Sequence, residues 1–180
     1  MPISLYSENV RDLIHRPGEM RERDREFAVP EELGAGLLTV KAGENLRLDV
    51  RLESIHEGIL ASVSVKTVAR GICGRCLKDL KQDVKVEFQE LFAYSLDEAY
   101  EYEVHGDYVD LEPPLRDAVV LSLPFQPVCQ PECLGLDPVT GEEITEASGV
   151  SAEPDIDPRW AALTELAAST DRGEDTESTS

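Results

Sequence analysis

Positive charge is what this chain has least of. Its 180 residues carry 17 Lys and Arg against 37 Asp and Glu, a formal net charge of −20. Such a surface repels nucleic acid and anionic membrane at long range and attracts basic surfaces, of which a ribosomal protein is one. Long apolar runs are also missing. No stretch approaches the roughly 18 to 20 apolar residues that span a bilayer, so no membrane segment is expected. The opening MPISLYSENVRDLIHR has no basic start followed by an apolar run, which predicts no secretory signal. The expected compartment is the cytoplasm, where thiols stay reduced and clustered cysteines more often bind metal than form disulfides. Catalytic signatures are lacking too. There is no Gly-rich phosphate loop, no H-E-x-x-H and no nucleophile elbow. His15, His56 and His105 stand in no motif that would make one of them a base. A role without catalysis is expected.

What the chain does have is a β-patterned centre. In LRLDVRLE, Leu46, Leu48, Val50 and Leu52 alternate with Arg47, Asp49, Arg51 and Glu53. That period of two gives one buried face and one wet face. Glu57-Gly58 reads as a hairpin turn into ILASVSVKTVARG, where Ala61, Val63 and Val65 alternate with Ser62, Ser64 and Lys66. DVKVEFQELFAY follows with Val84, Val86 and Phe88 on one face, and LLTVKAG reads as an earlier short strand. The short links predict an antiparallel meander. Asp110 then reads as an N-cap, Pro113 and Pro114 as first-turn residues, and Leu115, Ala118, Val119 and Ser122 as the helical periodicity of a helix over 111–123, ended by Pro124.

The flanks differ in composition. RPGEMRERDREF interleaves Arg16, Arg21, Arg23 and Arg25 with acids, which reads as a solvated arm or as an arginine-bearing contact arm. Residues 86–115 hold nine acids, no Lys or Arg, and Tyr94, Tyr100, Tyr102 and Tyr108 among them. That is either a solvated edge or an acidic, aromatic face for a basic protein. Asp107, Asp110 and Glu112 also cluster as Mg²⁺-type oxygen donors, though they more simply cap and precede the helix. The expected organisation is an N-terminal arm over 1–29, a β-rich core over 30–141 and an acidic tail over 142–180. A short helix is expected near 158–167 around Trp160 and Leu163, in an otherwise disordered tail.

The four cysteines form two close pairs, Cys73-x-x-Cys76 and Cys129-x-x-x-Cys133. A tetrahedral metal needs thiolates a few ångströms apart, and gaps of two or three residues in tight loops supply two each. Gly74 relaxes the first loop and Pro131 stiffens the second. One structural zinc held by all four is the expectation, with the fold class α+β: a twisted antiparallel sheet of four to six strands, one main helix and a zinc knuckle. A redox dithiol at Cys73 and Cys76, ordinary buried thiols and a catalytic cysteine remain as alternatives. The dithiol reading lacks the βαβ context such motifs use. Arg75, with Lys78 and Lys81, offsets the formal −2 of a four-thiolate zinc site, or else offers a basic knuckle to phosphate.

The segments VRDLIHRPGEMRE, LRLDVRLESIHEGILASVSV, GICGRCL, LSLPFQPVCQPECLGLDPVTG and DPRWAALTEL, in that order, resemble the YceD family of bacterial proteins, the large ribosomal RNA subunit accumulation proteins. The resemblance spans most of residues 5–167. It implies a cytoplasmic factor needed for normal accumulation of large-subunit ribosomal RNA. Many members carry further cysteines in the second cluster, where this chain has Asp137 and Thr140. The four cysteines are then the whole thiol set, with Asp137 an alternative oxygen ligand. The expected function is support of large-subunit rRNA accumulation by binding a basic large-subunit ribosomal protein or pre-rRNA. Arg11, Arg16 and Arg75 are the candidate binding residues. A zinc- or redox-responsive regulator is the alternative from another class, and a Mg²⁺-dependent nuclease on the clustered acids is a third.

Overall fold

The computed structural model of the protein describes residues 4–95, 100–138 and 140–145. The helix expected near 158–167, and most of the acidic tail, lie outside the described residues. The chain divides into two compact units, Met1–Cys133 and Leu134–Ser180.

In the first unit the elements run β1 (Ser7–Asn9), β2 (Met20–Ala28), β3 (Leu38–Thr39), β4 (Asn45–Ser54), β5 (Gly58–Ile72), β6 (Asp79–Ala93), β7 (Tyr102–Glu103), β8 (Tyr108–Asp110) and α1 (Glu112–Ser122). The main sheet has the order β2-β4-β5-β6-β7, with β3 also on β5, while β1 and β8 form a separate two-stranded pair. The alternation in β4 and β5 does what its period requires. Leu46, Leu48, Val50 and Leu52 are at most 2% exposed, and Ala61, Val63 and Val65 at most 3%. Each large apolar side chain buried this way stabilises the fold by about 1.5–3 kcal/mol. The inward face joins one core with Tyr6 and Val10 around β1, Val109 of β8, and Leu111, Leu115 and Val119 along α1.

The hairpin between β4 and β5 closes where expected, with the Ile55 N–H donating to the Gly58 carbonyl at 2.9 Å. Gly58 is required there: a Cβ would lie 2.8 Å from the Ala93 Cα and against the Phe92 carbonyl. α1 begins after Leu111, whose side chain cannot cap. Asp110, one residue earlier, supplies the bond instead, its Oδ1 accepting the Glu112 N–H at 3.1 Å.

Two features depart from the expected meander. The sheet is mixed, because β7 runs parallel to β6, pairing Tyr102 with Phe92 and Glu103 with Ala93. The short-link argument assumed that each strand turns straight back. Eight residues separate β6 from β7, and the parallel contact spans only two residue pairs. The second departure is β2. The charged RERDRE run is a nine-residue strand paired with β4 from Met20↔Glu53 to Ala28↔Asn45. Its alternation is one of charge sign, so a hydrophobicity pattern does not reveal it. Arg21 and Arg25 turn toward β1, where the Glu8 carboxylate, fully buried, meets Arg25 at 3.0 Å and Arg23 at 3.3 Å. Tyr6 and Phe27 pack edge-to-face alongside, 5.2 Å between ring centroids.

The described part of the second unit is a small hairpin. Leu136 bridges Glu143, and Ile144 donates its N–H to the Gly135 carbonyl at 3.0 Å.

Candidate metal centre

The antiparallel ladder of β5 and β6 is unbroken over fifteen pairs, and Cys73 and Cys76 sit at its tip. The tip is a tight turn. The Cys73 N–H donates to the Lys78 carbonyl at 2.8 Å and the Leu77 N–H to the Cys73 carbonyl at 3.0 Å. Leu77 takes a left-handed backbone, φ 59°, to close it. Cys129 and Cys133 come from the loop after α1. That loop is clipped to the tip by the Gly74 N–H, which donates to the Pro127 carbonyl at 2.7 Å. Arg75 adds a second clip through Nη1, which donates to the Cys133 carbonyl at 2.9 Å and the Pro131 carbonyl at 3.4 Å.

The four Sγ atoms all lie within 4.8 Å of one another. Cys76 to Cys129 is 3.6 Å and Cys73 to Cys133 is 3.9 Å. A tetrahedron with metal–sulfur bonds of about 2.3 Å has edges of about 3.8 Å, so the cage has the right size for zinc. A disulfide needs about 2.05 Å, and none of the four is disulfide-bonded. Cys73, Cys76 and Cys133 are buried while Cys129 is exposed, which leaves one side open to an entering ion.

The thiols are electrostatically unlike. Peptide N–H groups, foremost that of Cys76 and then that of Arg75, aim at the Cys73 sulfur and bring its pKa down to about 6, against the opposing effect of desolvation. The Arg75 and Cys129 N–H groups each lie 3.4 Å from that sulfur. Cys129 is pushed up to about 12, chiefly by its contact with the Cys76 thiol and then by desolvation. The Cys73 thiolate forms readily and Cys129 resists ionisation. Full ionisation of such a cage calls for a cation at its centre.

The other expected residues are dispersed. Arg11 is 80% exposed at its side chain, 4.0 Å from Asp107. Arg16 is also exposed and shares a shallow concavity with Asn9, Arg11 and Asp12. That turn lies at the β4–β5 hairpin, where the Gly18 N–H donates to the Ser54 carbonyl at 2.9 Å. Arg75 sits at the opposite end of β5. Fifteen strand residues put the two sites about 45 Å apart. Arg21, Arg23 and Arg25 are committed to Asp12 and Glu8. Asp137 Oδ1 accepts the Thr140 N–H at 3.0 Å, an ordinary turn contact. Asp110 caps α1 and Asp107 faces Arg11, and the only metal-type grouping among the described residues is the four cysteines.

Among the described residues of 86–115, Glu90 and Glu101 bring carboxyls close together. Burial and the nearby Glu101 charge hold the Glu90 carboxyl above its ordinary range. Burial, with Glu101, Glu90 and Asp117, does the same to the Tyr102 hydroxyl. Sequence reasoning missed an apolar surface at the end of α1. Leu121 is 85% and Phe125 93% exposed, beside a groove of about 380 Å³ lined by Leu37, Leu38, Val120 and Leu123.

Comparison with known proteins places these features in a lineage. The family described as "Large ribosomal RNA subunit accumulation protein YceD" matches residues 61–167. An uncharacterized protein of Mycobacterium tuberculosis is 40% identical over 165 residues, covering 88% of this chain and 79% of its own length. One of Mycobacterium leprae is 31% identical over 168 residues, covering 89% and 76%. The uncharacterized YlbN of Bacillus subtilis is 29% identical over 99 residues, covering 52% and 58%. No solved structure matches the chain significantly.

Proposed function

Because the chain belongs to the YceD family, we propose that it is a non-catalytic factor supporting large-subunit rRNA accumulation by binding a basic large-subunit ribosomal protein. The carboxyl crowding around Glu90, Glu101 and Tyr102 carries this reading. A carboxyl held above its ordinary range by burial and a neighbouring carboxylate, as Glu90 is, gains from an incoming Lys or Arg. The exposed Phe125 and Leu121 offer apolar anchors of the kind protein interfaces use. Direct binding of pre-rRNA is the less favoured route. Arg11 and Arg16 lie far from Arg75, and an RNA-only interface would work against a net charge of −20.

Zinc is the proposed metal. Cys73, Cys76, Cys129 and Cys133 would hold it, and it would supply structural cross-linking of the β5–β6 tip to the loop after α1. Arg75 then fixes the loop carbonyls next to the ligands and offsets the charge of the thiolates. A zinc- or redox-responsive regulator remains the second reading, favoured by the exposure of Cys129 beside the easily ionised Cys73. It fails if mild oxidant leaves partner binding unchanged while Cys76→Ser lowers the melting temperature.

The decisive experiment deletes the gene and measures the ratio of large- to small-subunit rRNA together with a gradient profile of ribosomal particles. The expected result is a lower ratio and incomplete large subunits, and an unchanged ratio with normal particles refutes the proposal. Binding of naked rRNA fragments at physiological salt, without protein, would replace the protein partner by RNA.

A further inference from the structure

Among the described residues one long strand edge has no neighbour over most of its length. β6 pairs with β5 along its whole length, but with β7 only at Phe92 and Ala93. Among the described residues, positions 79–91 pair with nothing on the far side. Two bonds at the end of the strand show which backbone groups face outward. The Ala93 carbonyl accepts the Val104 N–H at 2.9 Å on the β7 side, and the Tyr94 N–H donates to the Glu57 carbonyl at 3.0 Å on the β5 side. The N–H and C=O of one residue point the same way, and successive residues alternate. The ladder has no bulge to change that phase. Lys81, Asp83, Lys85, Glu87 and Gln89 therefore present their backbone groups outward, while the even-numbered residues bond β5.

Charge decides what fits such an edge. Free edges are commonly protected by charged side chains, and β2 follows that rule. Its Glu22, Asp24 and Glu26 share one face and one sign, so a second copy would set carboxylate against carboxylate. The exposed face of β6 instead alternates in sign: Lys81, Asp83, Lys85, Glu87. Two copies paired antiparallel about Val84 place Lys81 opposite Glu87 and Asp83 opposite Lys85, each twice. On the core face Leu80 meets Phe88, Gln82 meets Val86, and Val84 meets itself. The residues with outward backbone groups fall at the hydrogen-bonded positions of this pairing. A centre one residue away, at Asp83 or Lys85, sets Lys81 against Lys85 or Asp83 against Glu87. Within one chain Lys85 and Glu87 already touch at 3.0 Å, with both side chains about two-thirds exposed and free to exchange partners.

We propose that the β6 edge is a homodimer interface, at which a second copy of this chain continues the sheet across a two-fold axis at Val84. The test is sedimentation velocity on the full chain, in reducing buffer with zinc at physiological salt, over a wide concentration range. Wild type is expected to dimerise. K81E/K85E makes the edge wholly acidic and turns four attractive cross-strand pairs repulsive, which weakens the dimer roughly a hundredfold. D83K/E87K makes positions 81, 83, 85 and 87 all basic, with the same loss. Mixing the two variants restores an equimolar dimer, because every cross-strand pair is again of opposite sign. Lys85→Pro provides a variant without charge reversal: it removes an outward N–H that the monomer does not use, so it abolishes the dimer with the melting temperature kept. A wild type that stays monomeric at its highest soluble concentration overturns the proposal. So does a dimer that persists in K81E/K85E, or a mixture of the charge variants that fails to associate.

Discussion

Stripping the metal from Cys73, Cys76, Cys129 and Cys133 should untie the β5–β6 tip from the loop that follows α1. The size of the effect follows from chain connectivity. Cys76 and Cys129 are 53 positions apart and their sulfurs lie at 3.6 Å. Treating the metal as a cross-link that closes a loop of this length gives about 4 kcal/mol of stabilisation. For a unit of this size each kcal/mol moves the midpoint by about 2–4 °C, so the melting temperature should fall by roughly 10 °C. The fold itself should survive, because the core of β4, β5 and α1 does not pass through the cage. The assay is a thermal melt followed by far-ultraviolet circular dichroism in reducing buffer, before and after removal of metal by a strong chelator. Metal content is measured by mass spectrometry in parallel. One zinc per chain is expected, with the lost stability restored by zinc and not by magnesium, since four thiolates are soft ligands. Cys129→Ser checks the assignment. Cys129 is exposed, so its replacement leaves no cavity, and the variant should melt with the stripped wild type. Protein that carries no metal as purified, and whose melting temperature added zinc does not move, would refute the reasoning and leave the cage as a cluster of buried thiols.

Three further outcomes are expected. In metal-free protein the Cys73 pKa is depressed to about 6 from 9, so the fold favours the thiolate. That contribution is present above about pH 9 and fades as pH falls toward 6, so the melting temperature should drop over this window, and Cys73→Ser should flatten the slope. Glu8→Gln removes a fully buried carboxylate that meets Arg25 at 3.0 Å and Arg23 at 3.3 Å. Losing one partner of a buried pair costs about 3–5 kcal/mol, and because Arg23 is half exposed and can return to water, urea unfolding should show about 2–3 kcal/mol; a loss near zero would contradict the buried network. Gly58→Ala forces a methyl to within 2.8 Å of the Ala93 Cα; overpacking of this kind costs about 1–3 kcal/mol, and an unchanged urea midpoint would contradict that packing.

How much of this was legible in the residues depended on what alternated. β4 and β5 are written in hydrophobicity, so their faces, their turn at Gly58 and their antiparallel pairing could be read directly. β2 is written in charge sign, with Arg21, Arg23 and Arg25 on one face and Glu22, Asp24 and Glu26 on the other. Arginines turn inward only where a counter-charge waits, and that counter-charge, Glu8, sits in a three-residue strand paired with β8. No local window contains both partners. Strict sign alternation over RERDRE was the available signal. The parallel contact of β7 with β6 had none, because two residue pairs leave no periodicity.

The thiol cage and the arginines separate for a related reason. Close spacing fixes each cysteine pair locally, and the strand before the first and the helix before the second then had only to end near each other, which they do. Spacing carries no comparable information about Arg11, Arg16 and Arg75. The length of β5 sets Arg75 about 45 Å from the other two, far beyond the Debye length of about 8 Å at physiological ionic strength. The field of Arg75 therefore does not add to that of Arg11 and Arg16, which share one shallow concavity. The Glu101 charge does reach Glu90 and Tyr102, and with burial it holds both groups above their ordinary ranges. The charge pattern thus folds into an acidic cluster around Glu90 and Glu101 and two separated basic sites. A partner that neutralises charge gains at that cluster, which is the physical argument behind the proposed basic protein partner.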